Sequence, residues 1–467
     1  MRKTKIVATL GPASDSAEML AVLIKTGVNI FRLNMSHGRH DWVREVVARI
    51  RKTSNDLNMP VGILMDTQGP AIRTGDLPTK LYLVPGDRFT FTVRGAMSEE
   101  QHSVDVNYDD LVDDISVGDV VLLDNGVIRM RVLSKEENQL HCEVLTPGEL
   151  GSRRHINLPG VKVNLPALTE KDLADVAVGV ECGVDFFALS FVREANDVQL
   201  LRQVLQTHQS DAKIIAKIED QSAVRNLQEI IDAADGIMVA RGDLGIEIPY
   251  EELPIVQRRI VKTCVQQVKP VIVATHMLES MIQNPMPTRA EITDIANAVF
   301  EQADAIMLSG ETTVGKYPRE CVEVLDRVAT RIERSGPGQF SESINLFDDT
   351  ERLARSAVQL ANETRADGIC VFTQKGYLAS IAAGLRPTFS KVFAFTQSER
   401  VMQKLCLNYG VRPIQMKFDR DVELNVFSAE EKLKKLGLVK SGSKLVVISD
   451  LVVGDTVIHA VHMRFVK

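Results

Sequence analysis

The feature that most constrains this chain is a recurrence of short, continuous apolar runs, most of which end in a polar, charged or glycine residue. The runs are Lys5–Leu10 before Gly11-Pro12, Val28–Leu33 before Asn34, and Val61–Met65 before Asp66. They resume with Phe186–Phe191, Ile214–Glu219, Gly236–Ala240 before Arg241-Gly242-Asp243, Val271–Thr275 and Ala305–Ser309. Runs without polar alternation suit strands of a parallel sheet that is covered on both faces. Between most of them the periodicity turns helical, as in Ser16–Thr26, His40–Thr53, Glu170–Glu181 and Asn196–Thr207. Eight such strands with helical crossovers predict an α/β chain built on a TIM-type (β/α)8 barrel, over residues 1–69 and 168–335.

One stretch breaks the rhythm. Between the third and fourth runs, Arg88–Val93, Val120–Leu123 and Val127–Val132 read as short strands, with turns at Pro85-Gly86, Gly118-Asp119 and Asn125-Gly126. Residues 70–167 are therefore expected to form an inserted all-β lid, a small β-barrel, in a loop beside the active face of the main barrel. A linker from Ser335-Gly336-Pro337-Gly338 to Arg352 leads to a C-terminal α/β domain over 350–467, for effector binding or assembly. Its expected strands are Ile369–Thr373, Lys391–Thr396 and Leu445–Ser449.

Composition narrows the class of function. The formal net charge of -7 disfavours broad nucleic-acid binding while leaving room for a positive pocket. Six scattered cysteines with no CxxC pair read as reduced structural thiols of a cytoplasmic protein. There is no secretory h-region and no run of membrane-spanning length, so no membrane association is expected.

On such a barrel, polar residues at the C-terminal strand ends are where chemistry concentrates. Lys217-Ile218-Glu219 places a cation and a carboxylate on one strand face. It reads either as a structural ion pair or as a metal ligand beside a cation that stabilises developing negative charge. Asp243 adds a second carboxylate, and two carboxylates completed by substrate oxygens and water suit Mg²⁺. The turn Arg241-Gly242-Asp243-Leu244-Gly245 offers backbone N–H groups to an anion. Arg32, Asn34, Ser36 and His37 follow the second run, and Asp66, Thr67 and Arg73 the third. Arginines there suit phosphate oxygens, although each alone also reads as a surface residue, and Asn34–Gly38 as a helix-capping loop. Thr275 and His276 end the seventh run and Ser309 the eighth, and a lone histidine there is more often a hydrogen-bonding neighbour than a base. Neither a GxxxxGK[ST] loop nor the protein-kinase motif set is present.

These residues lie in segments that resemble pyruvate kinase over nearly the whole chain. The segments are Lys3–Pro12, Phe31–Gly38, Asp66–Thr74, Asn157–Gly160, Ile215–Glu219, Asp235–Gly245, Ala274–Met281, Pro287–Glu291 and Met307–Thr312. The resemblance implies phosphoryl transfer from phosphoenolpyruvate to ADP, giving pyruvate and ATP in the last step of glycolysis, by a cytoplasmic homotetramer. It implies that Lys217 stabilises the transferring group and the enolate, and that Glu219 and Asp243 hold Mg²⁺ or Mn²⁺. Gly242, Asp243 and Thr275 would hold the substrate carboxylate, Arg32 and Arg73 would contact phosphates, and Ser309 would belong to the proton route. Asn34, His37, Arg73 and Arg154 fall on the nucleotide side, and Arg289 near a neighbouring subunit.

Departures from the family pattern matter. K⁺-requiring members usually carry Lys and Glu where this chain has Gln68 and Ala71, and K⁺-independent members usually carry Lys at position 71. Asn34, Ser36, Asp66 and Thr67 nevertheless match the K⁺-ligand positions, which leans toward a monovalent-ion site. His276 replaces a usual Gln, Asn125 a usual Asp and Arg154 a usual Lys. In the C-terminal domain, Thr373 and Lys375 keep a phosphate-binding character, but Tyr377 and Leu378 break the loop pattern for a sugar bisphosphate. Two other readings fit the same residues: a barrel lyase that uses Lys217, Glu219 and Asp243 without the nucleotide-side arginines, and a catalytically impaired metabolite sensor.

Overall fold

The computed structural model describes residues 2–96, 98, 102–124, 126–161, 163–336, 340–453 and 456–467, without the side chains of 450–458. Asn125 and the linker residues Pro337-Gly338 lie outside the described residues. The eight predicted runs form one closed parallel barrel. Its strands are β1 (Lys5–Thr9), β2 (Ile30–Asn34), β3 (Gly62–Asp66), β4 (Phe186–Leu189), β5 (Lys213–Ile218), β6 (Gly236–Ala240), β7 (Val271–Ala274) and β8 (Ala305–Leu308), paired in order around the ring.

Parity along each strand decides what the barrel holds. Val7, Ile30, Leu64, Phe186, Ala188, Ile215, Met238, Ile272 and Met307 form the inner core, whereas Ile6, Phe31, Ile63, Phe187, Ile214 and Ile306 pack outward under the helices. Because side chains alternate with period 2, residues two or four positions beyond an inner one also face inward. That rule carries Thr9, Arg32, Asp66, Ser190, Lys217, Glu219 and Ser309 to the inner face at the C-terminal end. The covering helices start from matched caps. Thr169 and Asp172 form a reciprocal capping box for Glu170–Glu181, and Thr288 with Glu291 does the same for Arg289–Phe300.

The insertion after β3 is all-β. Its six-stranded sheet runs Ile156–Asn157, Val120–Leu123, Ile128–Lys135, Gln139–Val144, Arg88–Thr92, Ser103–Asp105, and a separate ribbon pairs Leu81–Leu83 with Gly148–Leu150. Among the described residues this sheet is open rather than a closed ring. Its own core centres on Phe89, Phe91, Met130 and Leu140.

The C-terminal sheet has five strands, two more than the sequence reading. They are β9 (Gly368–Phe372), β10 (Lys391–Thr396), β11 (Val411–Gln415), β12 (Lys444–Val453) and β13 (Thr456–Phe465), in the order β11-β10-β9-β12-β13. Pro413 hid β11, and it is tolerated because β11 is an edge strand. β13 pairs antiparallel with β12 on the other edge. This domain closes the N-terminal end of the barrel. Cys406 and Leu407 join the inner barrel core, and the buried Arg386 guanidinium pairs with Asp304 at 2.8 Å.

Candidate active site

The inward residues of β2, β3 and β5 meet in one buried charge network. Lys217 Nζ lies 2.8 Å from Glu219 Oε1 and 3.2 Å from Asp66 Oδ1, and it donates to Ser190 Oγ at 2.8 Å. The other oxygen of Asp66 accepts from Arg32 Nε at 2.6 Å, and Arg32 Nη1 donates to Thr9 Oγ1 at 3.1 Å. Burial alone would depress the Lys217 ammonium, but Asp66 and Glu219 outweigh it and hold its pKa above the ordinary lysine value. Burial likewise opposes ionisation of Asp66, yet Arg32 and Lys217 keep its carboxyl below the usual range. Glu219 moves the other way. Burial raises it, and Asp243 adds to the rise against the pull of Lys217.

The donor set itself suits a divalent cation. Two carboxylates from neighbouring strand ends repel each other in a buried place, and a hard cation relieves the repulsion. Among the described residues no cluster of three or more His, Cys, Asp or Glu forms a closed cage. Glu219 and Asp243 therefore suit a hard divalent cation completed by water and substrate oxygens, rather than a fully protein-ligated ion.

Asp243 reaches the site by a different route. The sequence reading made 241–245 a glycine turn, but the structure makes Arg241–Glu247 a short helix. Arg241 anchors its start, donating to the carbonyls of Ala274 (3.1 Å) and Thr275 (2.5 Å) and pairing with Asp294 at 2.7 Å. Gly242 has no left-handed backbone, and a Cβ there would meet Thr275 at an ordinary 3.6 Å. Its N–H donates to Thr275 Oγ1 at 2.8 Å, so the two predicted carboxylate-binding groups already touch. Thr275 and His276 both adopt positive φ, 69° and 56°, an arrangement that costs on the order of 1–3 kcal/mol for such residues.

The other predicted residues spread around this centre. Asn34 Oδ1 accepts from the Ser36 N–H at 3.2 Å, while the Thr67 hydroxyl donates to Ala188 O at 3.2 Å. His37 is exposed. Ser309 Oγ is buried without a hydrogen-bond partner. Arg73 and Arg154 belong to the lid. Arg73 Nη1 donates to Arg153 O at 3.2 Å, and Arg154 pairs with Asp124 at 3.3 Å. Among the described residues neither is bonded to the Lys217 network.

Three contributors escaped the sequence reading. Ser190 joins Lys217, Asp66 and the carbonyl of Thr67. The Phe191 N–H, at a residue with φ of 54°, donates to Glu219 Oε2 at 2.6 Å. Opposite Phe191, Gly69 adopts φ of 72°, and a Cβ there would come within 2.7 Å of the phenyl ring. The third is a lid contact, Asn157 Nδ2 to Glu247 Oε1 at 2.9 Å, beside a small cavity of about 80 Å³ that also touches Glu219. Strand parity would have found Ser190. The Phe191 and Asn157 contacts depend on tertiary geometry.

Comparison with known proteins agrees with this architecture. The family described as "Pyruvate kinase, barrel domain" matches residues 1–322, and "Pyruvate kinase, alpha/beta domain" matches 351–459. The chain is 45% identical over 457 residues to plastidial pyruvate kinase 3 of Arabidopsis thaliana, a chloroplastic protein, covering 95% of this chain and 79% of the relative. It is 41% identical to a pyruvate kinase of Sporosarcina psychrophila, covering 97% and 79%. The crystal structure of a pyruvate kinase from Cryptosporidium parvum superposes with a TM-score of 0.93 at 34% identity, covering 100% of this chain and 96% of that one.

Proposed function

Because the chain belongs to the pyruvate kinase family, it is a phosphotransferase, and we propose how its own residues carry the phosphoryl group of phosphoenolpyruvate to ADP. The observation that carries the reading is the Lys217 ammonium, buried and fixed by Glu219, Asp66 and Ser190 at the C-terminal end of the barrel. A cation so placed needs no reorganisation when negative charge develops on the transferring group or on the enolate. Arg32, fixed by Asp66, presents the rest of its guanidinium to phosphate oxygens. The Gly242 N–H and the Thr275 hydroxyl exchange their mutual bond for the substrate carboxylate. Ser309, with its unpartnered buried hydroxyl, serves the proton route to the enolate carbon.

Glu219 and Asp243 would hold the divalent cation, which when bound supplies charge neutralisation between substrate and phosphate. For a monovalent ion the ligands are Asn34, Ser36, Asp66 and Thr67, with Gln68 and Ala71 as the departures that make K⁺ dependence worth measuring. Arg73 and Arg154 reach the nucleotide from a lid spanning 70–167, and Asn34 and His37 from the barrel spanning 1–69 and 168–335. The 350–467 domain serves effector binding or assembly.

A homotetramer is the proposed assembly. Tyr250 and Met286, the latter three residues before Arg289, are exposed apolar side chains that a neighbouring subunit would cover. Light scattering of the eluted protein reads it. Six free cysteines suit a reducing compartment such as the cytoplasm, and among the described residues no helix is long and apolar enough to cross a membrane.

The test is pyruvate formation from phosphoenolpyruvate and ADP with Mg²⁺, in KCl against tetramethylammonium chloride at equal ionic strength. Lys217→Met is expected to lower kcat by about 10³-fold or more. Stimulation by KCl supports the ion ligands, and equal rates in both salts remove them. A folded protein inactive in every salt would overturn the phosphotransferase reading itself.

A further inference from the structure

At the opposite end of the barrel from Lys217 lies a cavity of about 340 Å³, between the starts of β4 to β7 and the C-terminal domain. Four lysines line it, Lys213 and Lys269 from the barrel and Lys375 and Lys404 from the C-terminal domain. Among the described residues Asp235 is the one carboxylate in its wall. In a chain of net charge -7 this is a local reversal of sign.

The lysines are only partly satisfied. Lys213 pairs with Asp235 at 2.9 Å, and Lys404 with Asp211 at 2.6 Å. Lys269 donates to the carbonyl of Ala234 at 2.5 Å, which brings no compensating charge. Lys375 is exposed and has no ion-pair or hydrogen-bond partner among the described residues. Burial holds Lys269 below the ordinary lysine range against the pull of Asp235 and Asp232, and the neighbouring Arg202 and Lys213 push it further down. Burial acts on Lys404 in the same direction, with Arg400 and Lys213 adding to it against Asp211. Like charges gathered on one wall are relieved by an anion between them.

The rest of the lining includes apolar Phe186, Val268, Pro270 and Leu405, and a neutral polar pair in which Asn408 Nδ2 donates to Ser380 Oγ at 3.1 Å. A volume of this order takes a compact organic molecule rather than a bare ion. We propose that this cavity binds a phosphorylated small metabolite, its phosphoryl group held between barrel lysines and C-terminal lysines and its body laid on the apolar wall. Lysine suits that role as a point charge for phosphate.

The site is separate from the active site and from a second cavity within the C-terminal domain, of about 580 Å³, lined by Thr373, Gln374 and Arg420. The sequence reading put Thr373 and Lys375 in one phosphate loop, but the structure turns them apart. The Thr373 hydroxyl accepts the Gly376 N–H at 2.9 Å and faces the second cavity, while Lys375 faces the first. With walls from two domains, the proposed site exists only while the domains stay docked, so its ligand stabilises their junction.

Isothermal titration calorimetry of the full chain tests this with inorganic phosphate, a hexose monophosphate and a nucleoside monophosphate, at low and raised salt. At least one probe is expected to bind, more weakly in salt, and Lys375→Ala is expected to weaken it about tenfold. Lys375 is exposed and unpaired, so the variant should fold. Arg420→Ala, in the second cavity, is expected to leave that binding unchanged. No binding by any of the three probes overturns the proposal. So does binding that survives Lys375→Ala intact, which places the anion in the active site or the second cavity.

Discussion

Lys213 and Lys217 stand at the two ends of one strand and share its inward parity, yet they live in opposite electrostatic worlds. Lys217 is sealed, its side chain 11% exposed, with two carboxylates within 3.2 Å. Lys213 is 47% exposed, with one aspartate set against four lysines around its cavity. At the C-terminal end the protein supplies its own counter-charges, so the ammonium is fixed before substrate arrives. At the N-terminal end the balance is left to solvent or to a ligand. The same residue type on the same strand face thus becomes a preorganised electrostatic group at one end and an anion receptor at the other.

The largest effect expected from breaking this contrast is at Asp66. Its carboxylate is fully buried and shared by Arg32 and Lys217, so Asp66→Asn leaves two cations short of a counter-charge. The expected loss is about 3–5 kcal/mol of stability, as for other broken buried pairs. The shift in denaturant midpoint of the barrel transition measures it. A loss below about 1 kcal/mol would mean that the network is no more than a surface-like ion pair.

The C-terminal end was legible because strand parity and polar strand ends are both local properties. Lys217-Ile218-Glu219 announces its geometry within three residues, and Asp66 and Asn34 each close an apolar run. Ser190 obeys the same parity but reads as part of a longer run, Phe186–Phe191, since a serine among phenylalanines carries no charge signal. At Asp243 the two flanking glycines suggest a turn, whereas the tertiary anchor of Arg241 makes a helix instead. The lysine cavity was invisible. Lys213, Lys269, Lys375 and Lys404 are scattered over two domains, and only their docking brings them together. β11 was lost for a related reason, since Pro413 argues against a strand until the sheet order shows that it lies on an edge.

The lid contact sharpens the comparison with a smaller, pH-dependent effect. Burial raises the Glu247 carboxyl to about 7, with Asp220 and Asp243 adding to the rise and the Asn157 hydrogen bond opposing it. Asn157 Oδ1 is buried without a partner. The folded pKa lies above the unfolded one, so below about pH 4.5 both states hold the proton and there is no penalty. As pH rises from there toward 7 the unfolded chain releases it first and stability falls, levelling off above 7. In metal-free buffer this one group is therefore expected to cost the wild type about 1–2 kcal/mol across that window, after discounting for partial exposure. Glu247→Gln should remove that share of the slope and leave the share that Glu219, also raised by burial, contributes. An unchanged slope in the variant would assign the titration to another carboxylate.

The smallest effect belongs to Lys213, where the contrast is most exposed to failure. Asp235 does not depend on Lys213 alone, because Arg202 pairs with it at 3.1 Å and the Ile214 N–H donates to it at 2.9 Å. Lys213→Met therefore strands no charge, removes one cation from a wall already crowded with them, and keeps most of the side-chain volume. Its cost in stability is expected to stay within about 1 kcal/mol and to shrink further in raised salt, since an exposed pair is screened. The same denaturant titration used for Asp66→Asn decides it. A loss comparable to that of Asp66→Asn would show that Lys213 is as tightly bound into the protein's own charge balance as Lys217. The N-terminal cavity would then have no surplus of positive charge to offer an anion.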